Sequence, residues 1–174
     1  ILLIGGNGFI GSRIARYFVQ RGDTVLSISR NSRPVEAGVQ SLNADRTDTD
    51  AFAAAIGSRT FDVAVDVVGY KAADVEAVLP ALAQRVGHYF FISTDFVYAT
   101  DIETFPITED SPKDPDSKYG QGKLACEKVL REWFERKRFA FTALRPPHVI
   151  VPAASRALWL PASSSRIAIL RRTG

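Results

Sequence analysis

The turn at the head of the chain constrains the fold more than any other feature. Four apolar residues, Ile1-Leu2-Leu3-Ile4, run directly into Gly5-Gly6-Asn7-Gly8-Phe9-Ile10-Gly11. A strand that enters such a turn and leaves it as a helix can cradle a pyrophosphate. Gly5 suits the tight turn, Gly8 the close approach of backbone to phosphate, and Gly11 the close packing of helix on strand. The helix that follows aims its first N–H groups and its positive dipole end at the anion. A glycine triplet alone is a weak signal; its place between a first strand and a helix gives it meaning.

The rest of the chain repeats the same alternation. Short apolar runs predict strands at 1–4, 24–29, 39–42, 63–68, 88–93 and 139–144. Helical spacing predicts helices at 9–21, 50–56, 72–85 and 117–136, the last capped by Asp116 or Ser117. Strands that alternate with helices predict an α/β fold, and their near-continuous apolar character predicts cover on both faces. The expected architecture is a doubly wound, mainly parallel Rossmann sheet of strand order 3-2-1-4-5-6. Helices lie on both faces, and a nucleotide crosses the carboxyl ends of the strands at the switch point. Residues 1–145 form this domain. Pro146-Pro147 ends the last strand, and 146–174 is expected to be a remnant or the start of a substrate-binding part that is largely missing. The chain opens on strand residues and holds no methionine, so the native protein is expected to contain further residues, its start among them.

Composition narrows the partners. A single cysteine, Cys126, excludes an internal disulfide framework and suits a reducing cytoplasm. The net charge of +3 is mild, and late arginines (Arg166, Arg171, Arg172) supply much of it. Nucleic acid is therefore not the indicated partner, because a footprint needs a concentrated basic face. No apolar run approaches the ~20 residues of a membrane span. No metal-ligating set is assigned.

Further motifs follow the glycine turn in order. Ile92-Ser93-Thr94-Asp95-Phe96-Val97-Tyr98 closes the fifth strand, Tyr119-Gly120-Gln121-Gly122-Lys123 opens the longest helix, and Leu144-Arg145-Pro146 ends the sixth strand. With GGNGFIG, this set resembles the extended short-chain dehydrogenase/reductases, the NAD-dependent epimerase/dehydratase family. There the segments read "STDxVYG", Tyr-x-x-x-Lys and "LRP". The likeness runs through Arg145. From Ala153 the tail does not match, Ala99 stands where the family has glycine after Tyr98, and Phe96 stands where its sugar dehydratases carry glutamate. The resemblance implies NAD(P)-dependent oxidoreduction or epimerisation at a hydroxyl or carbonyl group of a small molecule, with a sugar nucleotide as one class. A homodimer is compatible with it.

The chemistry accounts for the residue types. Tyr119 and Lys123 are four apart and share a helix face. A tyrosine of pKa ~10 is a poor base, but a neighbouring ammonium, together with the positive nicotinamide of an oxidised cofactor, favours phenolate and is expected to lower that value. Tyr119 would then exchange a proton with the substrate oxygen. Thr94 would hydrogen-bond that oxygen, and Lys123 would hold the ribose hydroxyls, as the resemblance implies. Asp95 is either a second acid/base group or a loop carboxylate. The expected cofactor wall comprises Gly5, Gly8, Phe9, Ile10, Gly11, Val67, Val68 and Gly69, with Asp45 at the adenine. Asp66 ends the fourth strand beside that wall. Tyr70 either stacks nearby or packs, and His148 is read as a structural or surface histidine more readily than a nicotinamide neighbour. Cys126 is expected to be a small buried group, and Trp133 and Phe134 core residues. NAD-preferring relatives end the second strand with an acid; here Ser29 stands there, followed by Arg30 and Asn31. A guanidinium pairs with a 2′-phosphate and a serine does not repel one, so NADP is expected ahead of NAD. A rival reading keeps the Rossmann core without turnover, as a cofactor-binding regulator or RNA-binding relative. The basic charge favours it; the intact Thr94, Tyr119 and Lys123 oppose it.

Overall fold

The computed structural model describes residues 1–30, 34–102 and 105–149. Six strands, β1 (Leu2–Ile4), β2 (Leu26–Ser29), β3 (Gln40–Asn43), β4 (Phe61–Asp66), β5 (Val86–Ile92) and β6 (Phe141–Leu144), form one parallel sheet. Their order is β3-β2-β1-β4-β5-β6, as the sequence predicts. Four α-helices connect them: α1 (Phe9–Gln20), α2 (Thr49–Ile56), α3 (Ala72–Leu82) and α4 (Lys118–Lys137). The order reverses between β1 and β4, which pair directly (Ile4 with Asp66), so a crevice opens at their carboxyl ends.

Strand alternation sorts the core into two layers. Leu2, Ile4, Leu26, Ile28, Ala64, Tyr89 and Phe91 point to α2, α3 and α4, where they meet Phe52, Val75, Leu79 and Leu130. Leu3, Val25, Val65 and Ile92 point the other way, to Ala15, Ile14 and Phe18 of α1. Both faces thus carry helices. The edge departs from the expected double cover: in β3, Gln40, Ser41 and Asn43 are exposed and Leu42 alone packs inward.

Two boundaries shift for local reasons. β4 stops at Asp66 instead of running to 68, because the Asp66 carboxylate accepts the Val68 N–H (3.0 Å) and turns the chain out of the sheet. β6 begins at Phe141 and not at 139, because α4 ends on Arg138 in the left-handed region (φ 55°). Ser117, one of the two expected caps, accepts the Gly120 N–H and starts α4. Trp133 packs against the core as expected, whereas Phe134 is 45% exposed and meets Phe141 edge-on at the rim. Phe134 sits one helix step past the buried stripe of Cys126 and Leu130.

Candidate active site

The glycine turn has the geometry a phosphate cradle requires. Gly5 adopts φ 89°, and a Cβ there would lie 2.5 Å from Val68 Cγ1, while one on Gly11 would strike the Gly5 carbonyl. Side chains are excluded at both. Gly8 caps α1 without a side-chain hydrogen bond, and no acid occupies the first turn. The helix end is therefore free of side-chain cap and acid alike, which fits an anion. In front of it lies a cleft of about 650 Å³, walled by Gly5, Asn7, Ser29, Arg30, Asp45, Val68 and Tyr70 among others. Asn7 donates to Ser29 Oγ at 3.1 Å. Arg30 lies 4.0 Å from Asp45 with its side chain 77% exposed, and hydrogen bonds from Thr47, with Arg30 nearby, hold the Asp45 carboxyl below its ordinary pKa.

The other expected wall residues divide. Ile10 and Val67 line a second cavity, described next. Phe9 lies at the surface with the Arg13 guanidinium 4.1 Å over its ring. Gly69 is buried against Phe91 and lines neither cavity. Asn31 falls outside the described residues.

The second cavity, about 230 Å³, brings Thr94, Tyr119 and Lys123 together with Tyr70, Asp95, Phe96 and His148. Tyr70 lines both spaces. Thr94 stands at the end of β5, donates its hydroxyl to Asp95 Oδ1 (3.1 Å) and accepts the Phe96 N–H (3.3 Å). Tyr119 is 45% exposed, with Tyr70 and Phe96 rings 6.4 and 6.2 Å away. Lys123 is 2% exposed. Its ammonium donates to the Ile92 carbonyl (2.7 Å) and lies 4.9 Å from the Tyr70 ring centre and 4.8 Å from that of Phe91. His148 is exposed and meets Phe96 edge-on at 5.8 Å.

Within the chain itself, the Lys123 ammonium does not lower the Tyr119 pKa. Burial, then the neighbouring Tyr70, raise the phenol above its ordinary value, and the Thr94 hydroxyl only partly opposes them. The Lys123 ammonium is 5.9 Å from the Tyr119 ring centre and satisfied elsewhere, and burial pushes its own pKa down. Tyr119 is a phenol at neutral pH in this state.

Two buried ion pairs escaped the sequence reading. Arg46 grips Asp66 through two hydrogen bonds (2.9 and 2.7 Å), Tyr89 donates to the same carboxylate (2.7 Å), and Arg46 Nε reaches the Asp74 carbonyl (2.9 Å). Arg145 likewise grips Glu127 (3.0 and 2.7 Å) and donates to Tyr98 (2.8 Å), while Ser93 donates to Glu127 (2.6 Å). Glu127 lies four residues past Lys123, on the same helix face; that spacing was the available signal. Cys126 is buried as expected, and burial pushes its thiol up to about 12. Among the described residues no helix is long and apolar enough to cross a membrane.

The glycine turn, the reversal of strand order and the paired cavities define a Rossmann-like α/β nucleotide-binding protein. The chain belongs to the NAD dependent epimerase/dehydratase family, whose model matches residues 1–167. The likeness thus extends past Arg145 into the tail that shows no motif by eye. A chloroplast stem-loop binding protein of 41 kDa (b) from Arabidopsis thaliana is 29% identical over 167 residues, 87% of this chain and 42% of its own length. A 2'-dehydrokanamycin reductase from Streptomyces kanamyceticus is 30% identical over 133 residues, 75% of this chain and 37% of its own. The Thermus thermophilus UDP-glucose 4-epimerase, solved in complex with NAD, superposes with a TM-score of 0.74 at 23% identity, covering 83% of this chain and 53% of that one. The chain therefore spans about half, or less, of the length of these proteins.

Proposed function

We propose that residues 1–145 bind a nicotinamide dinucleotide, NADP(H) ahead of NAD(H), and that the full-length protein oxidises, reduces or epimerises a hydroxyl or carbonyl group of a small molecule. A sugar nucleotide is the favoured class, and residues from 146 onward begin the part that selects it. One observation carries this reading: Thr94, Tyr119 and Lys123 converge on one cavity that shares Tyr70 with the glycine-turn cleft. When bound, the cofactor supplies a hydride acceptor or donor. The chain's own residues do the rest. Gly8 and the α1 N-terminus hold phosphate, and Asp45 faces the adenosine end. Thr94 fixes the reacting oxygen, Tyr119 exchanges its proton, and Lys123 exchanges the Ile92 carbonyl for ribose hydroxyls. A reducing, cytoplasmic setting suits the buried Cys126.

The reading is tested by hydride transfer in the full-length protein, followed by nicotinamide absorbance with UDP-sugars and simple alcohol–ketone pairs. Phe96 has no carboxylate to remove the proton beside a carbonyl, so oxidation–reduction or epimerisation is expected and dehydration is not. A keto-deoxy sugar product would overturn that second point, and silence toward every probe would sink the enzyme reading. The chloroplast relative's name makes stem-loop binding the competing outcome, to be checked in the same preparation.

Cofactor choice rests on Arg30. Its exposed guanidinium, 4.0 Å from Asp45, is free to swing to a 2′-phosphate on the same side of the cleft. Arg30→Ala is expected to weaken NADP(H) by about 1–3 kcal/mol, the range of a charge-assisted contact, and to leave NAD(H) unchanged. Calorimetric titration of both cofactors decides it. Equal affinities in wild type, or equal losses in the variant, would refute the assignment.

A further inference from the structure

Resting on the reading above, the geometry points to Phe96 as a residue that selects the substrate: its side chain takes the apolar face of a ring that carries the reacting carbon. Phe96 belongs to a group of aromatic side chains gathered at the cavity of Thr94 and Lys123. The Tyr119 ring lies 6.2 Å from Phe96 and 6.4 Å from Tyr70, and His148 meets Phe96 at 5.8 Å. Tyr70, Phe96 and Tyr119 are 54%, 48% and 45% exposed, so the cavity mouth presents a contiguous aromatic surface of the kind that marks a binding site.

Two glycines at the start of α4 set this surface in place. A Cβ on Gly120 would strike the Phe96 carbonyl oxygen, and one on Gly122 that of Tyr70. The backbones of Phe96 and Tyr70 thus rest directly on the helix that presents Tyr119. The Phe96 N–H is also held by Thr94 Oγ1 (3.3 Å), and the next residue, Val97, is fully buried. The Phe96 ring is therefore carried on a fixed backbone, and little ordering is lost when a ligand packs on it.

The chemistry of the wall names its ligand. Phe96 touches both residues that hold the reacting oxygen, Thr94 through its N–H and Tyr119 through its ring, so the carbons beside that oxygen fall within its reach. Pro146, Pro147 and Val149 extend the apolar lining. The nearby hydroxyl and ammonium groups are engaged within the chain: Ser93 donates to Glu127, Thr94 to Asp95 and Lys123 to the Ile92 carbonyl. A polar substituent set against Phe96 would lose its hydration without gaining a partner. A C–H face or ring edge instead suits the negative face of an aromatic side chain. Two kinds of substrate offer such a face: the pyranose of a sugar nucleotide, and a free alicyclic or aryl ring.

Two pairs of probes, each differing by one ring, test the selection in the full-length protein. The first pair is cyclohexanone and acetone, followed by nicotinamide absorbance. Phe96→Ala should lower the ratio of their kcat/KM values about tenfold, the lower end of what one apolar group contributes in a hydrophobic pocket, mainly by raising the cyclohexanone KM. Phe96→Tyr, which keeps the ring, should preserve the ratio. The second pair is UDP-glucose and UDP, titrated by calorimetry; Phe96→Ala should weaken UDP-glucose about tenfold relative to UDP. A dependence on Phe96 in the first pair assigns a free ring, and in the second a sugar nucleotide. A ring with a merely structural role would lower both members of a pair alike. No loss of either ratio in Phe96→Ala therefore overturns the selection, while an inactive Tyr119→Phe beside an active wild type leaves the enzyme reading standing. A wild type that neither reduces a ketone nor binds UDP-glucose sinks both.

Discussion

Tyr119→Phe is expected to abolish hydride transfer in the full-length protein while leaving cofactor affinity nearly unchanged. The substitution deletes one hydroxyl from a ring that is 45% exposed, so it opens no internal void. The loss falls on proton transfer alone, for which a positioned acid or base contributes about 10²–10⁴-fold. Because burial, Tyr70 and Asp95 hold the phenol above its ordinary pKa, the two directions of reaction should differ in pH dependence. Carbonyl reduction needs the phenol, which persists through neutral pH, so its rate should stay level and fall only above about pH 10. Alcohol oxidation needs the proton removed and should climb toward alkaline pH. Rapid-mixing measurements in both directions, with calorimetry for cofactor binding, check these outcomes. Comparable rates in wild type and Tyr119→Phe would end the assigned role.

The sheet was legible because its signal is local. Apolar runs, glycine at the first turn and the spacing of Tyr119 and Lys123 each lie within a few residues of chain, and strand order followed from the alternation. The site's electrostatics were not legible, because they depend on partners far apart: Asp66 with Arg46 across 20 residues, Arg145 with Glu127 across 18, Ser93 with Glu127 across 34. Periodicity places a residue on a face; it does not say which group waits there. Lys123 illustrates the difference. Helical spacing put it beside Tyr119 correctly, yet the Ile92 carbonyl and two aromatic rings draw its ammonium 5.9 Å from the Tyr119 ring centre. The end of β4 was missed for a similar reason, since Val67 and Val68 have strand propensity and only the Asp66 carboxylate stops them.

That carboxylate also carries the largest stability effect expected in the domain. Asp66 is fully buried, and it accepts from Arg46 twice, from Tyr89 and from the Val68 N–H. Burial alone would raise its carboxyl, but Arg46 holds the pKa below the ordinary value; the same pairing holds Arg46 above its own, and Asp66 helps burial raise Tyr89 well above 10.0. Asp66→Ala leaves the buried Arg46 guanidinium without its counter-ion and the Tyr89 phenol without its acceptor, which costs about 3–5 kcal/mol, against a total stability of about 5–15 kcal/mol for a typical domain. Urea unfolding at neutral pH should show the midpoint falling with little change in slope. Because the folded pKa is depressed, the stability Asp66 contributes is fully present above its unfolded value of ~4 and is lost as pH falls through the folded value. Wild type should therefore weaken below about pH 4, and Asp66→Ala should lack that part of the acid dependence. Replacing both partners, Asp66→Leu with Arg46→Met, removes the unpaired charge and should recover much of the loss, as exchanging a buried pair for apolar groups often does. The carboxylate also anchors the turn at Val68, and Arg46 ties it to the Asp74 backbone behind Tyr70. The double variant should consequently regain stability before cofactor affinity. A single Asp66→Ala protein within about 1 kcal/mol of wild type would show that this pair does not support the sheet beneath the cleft.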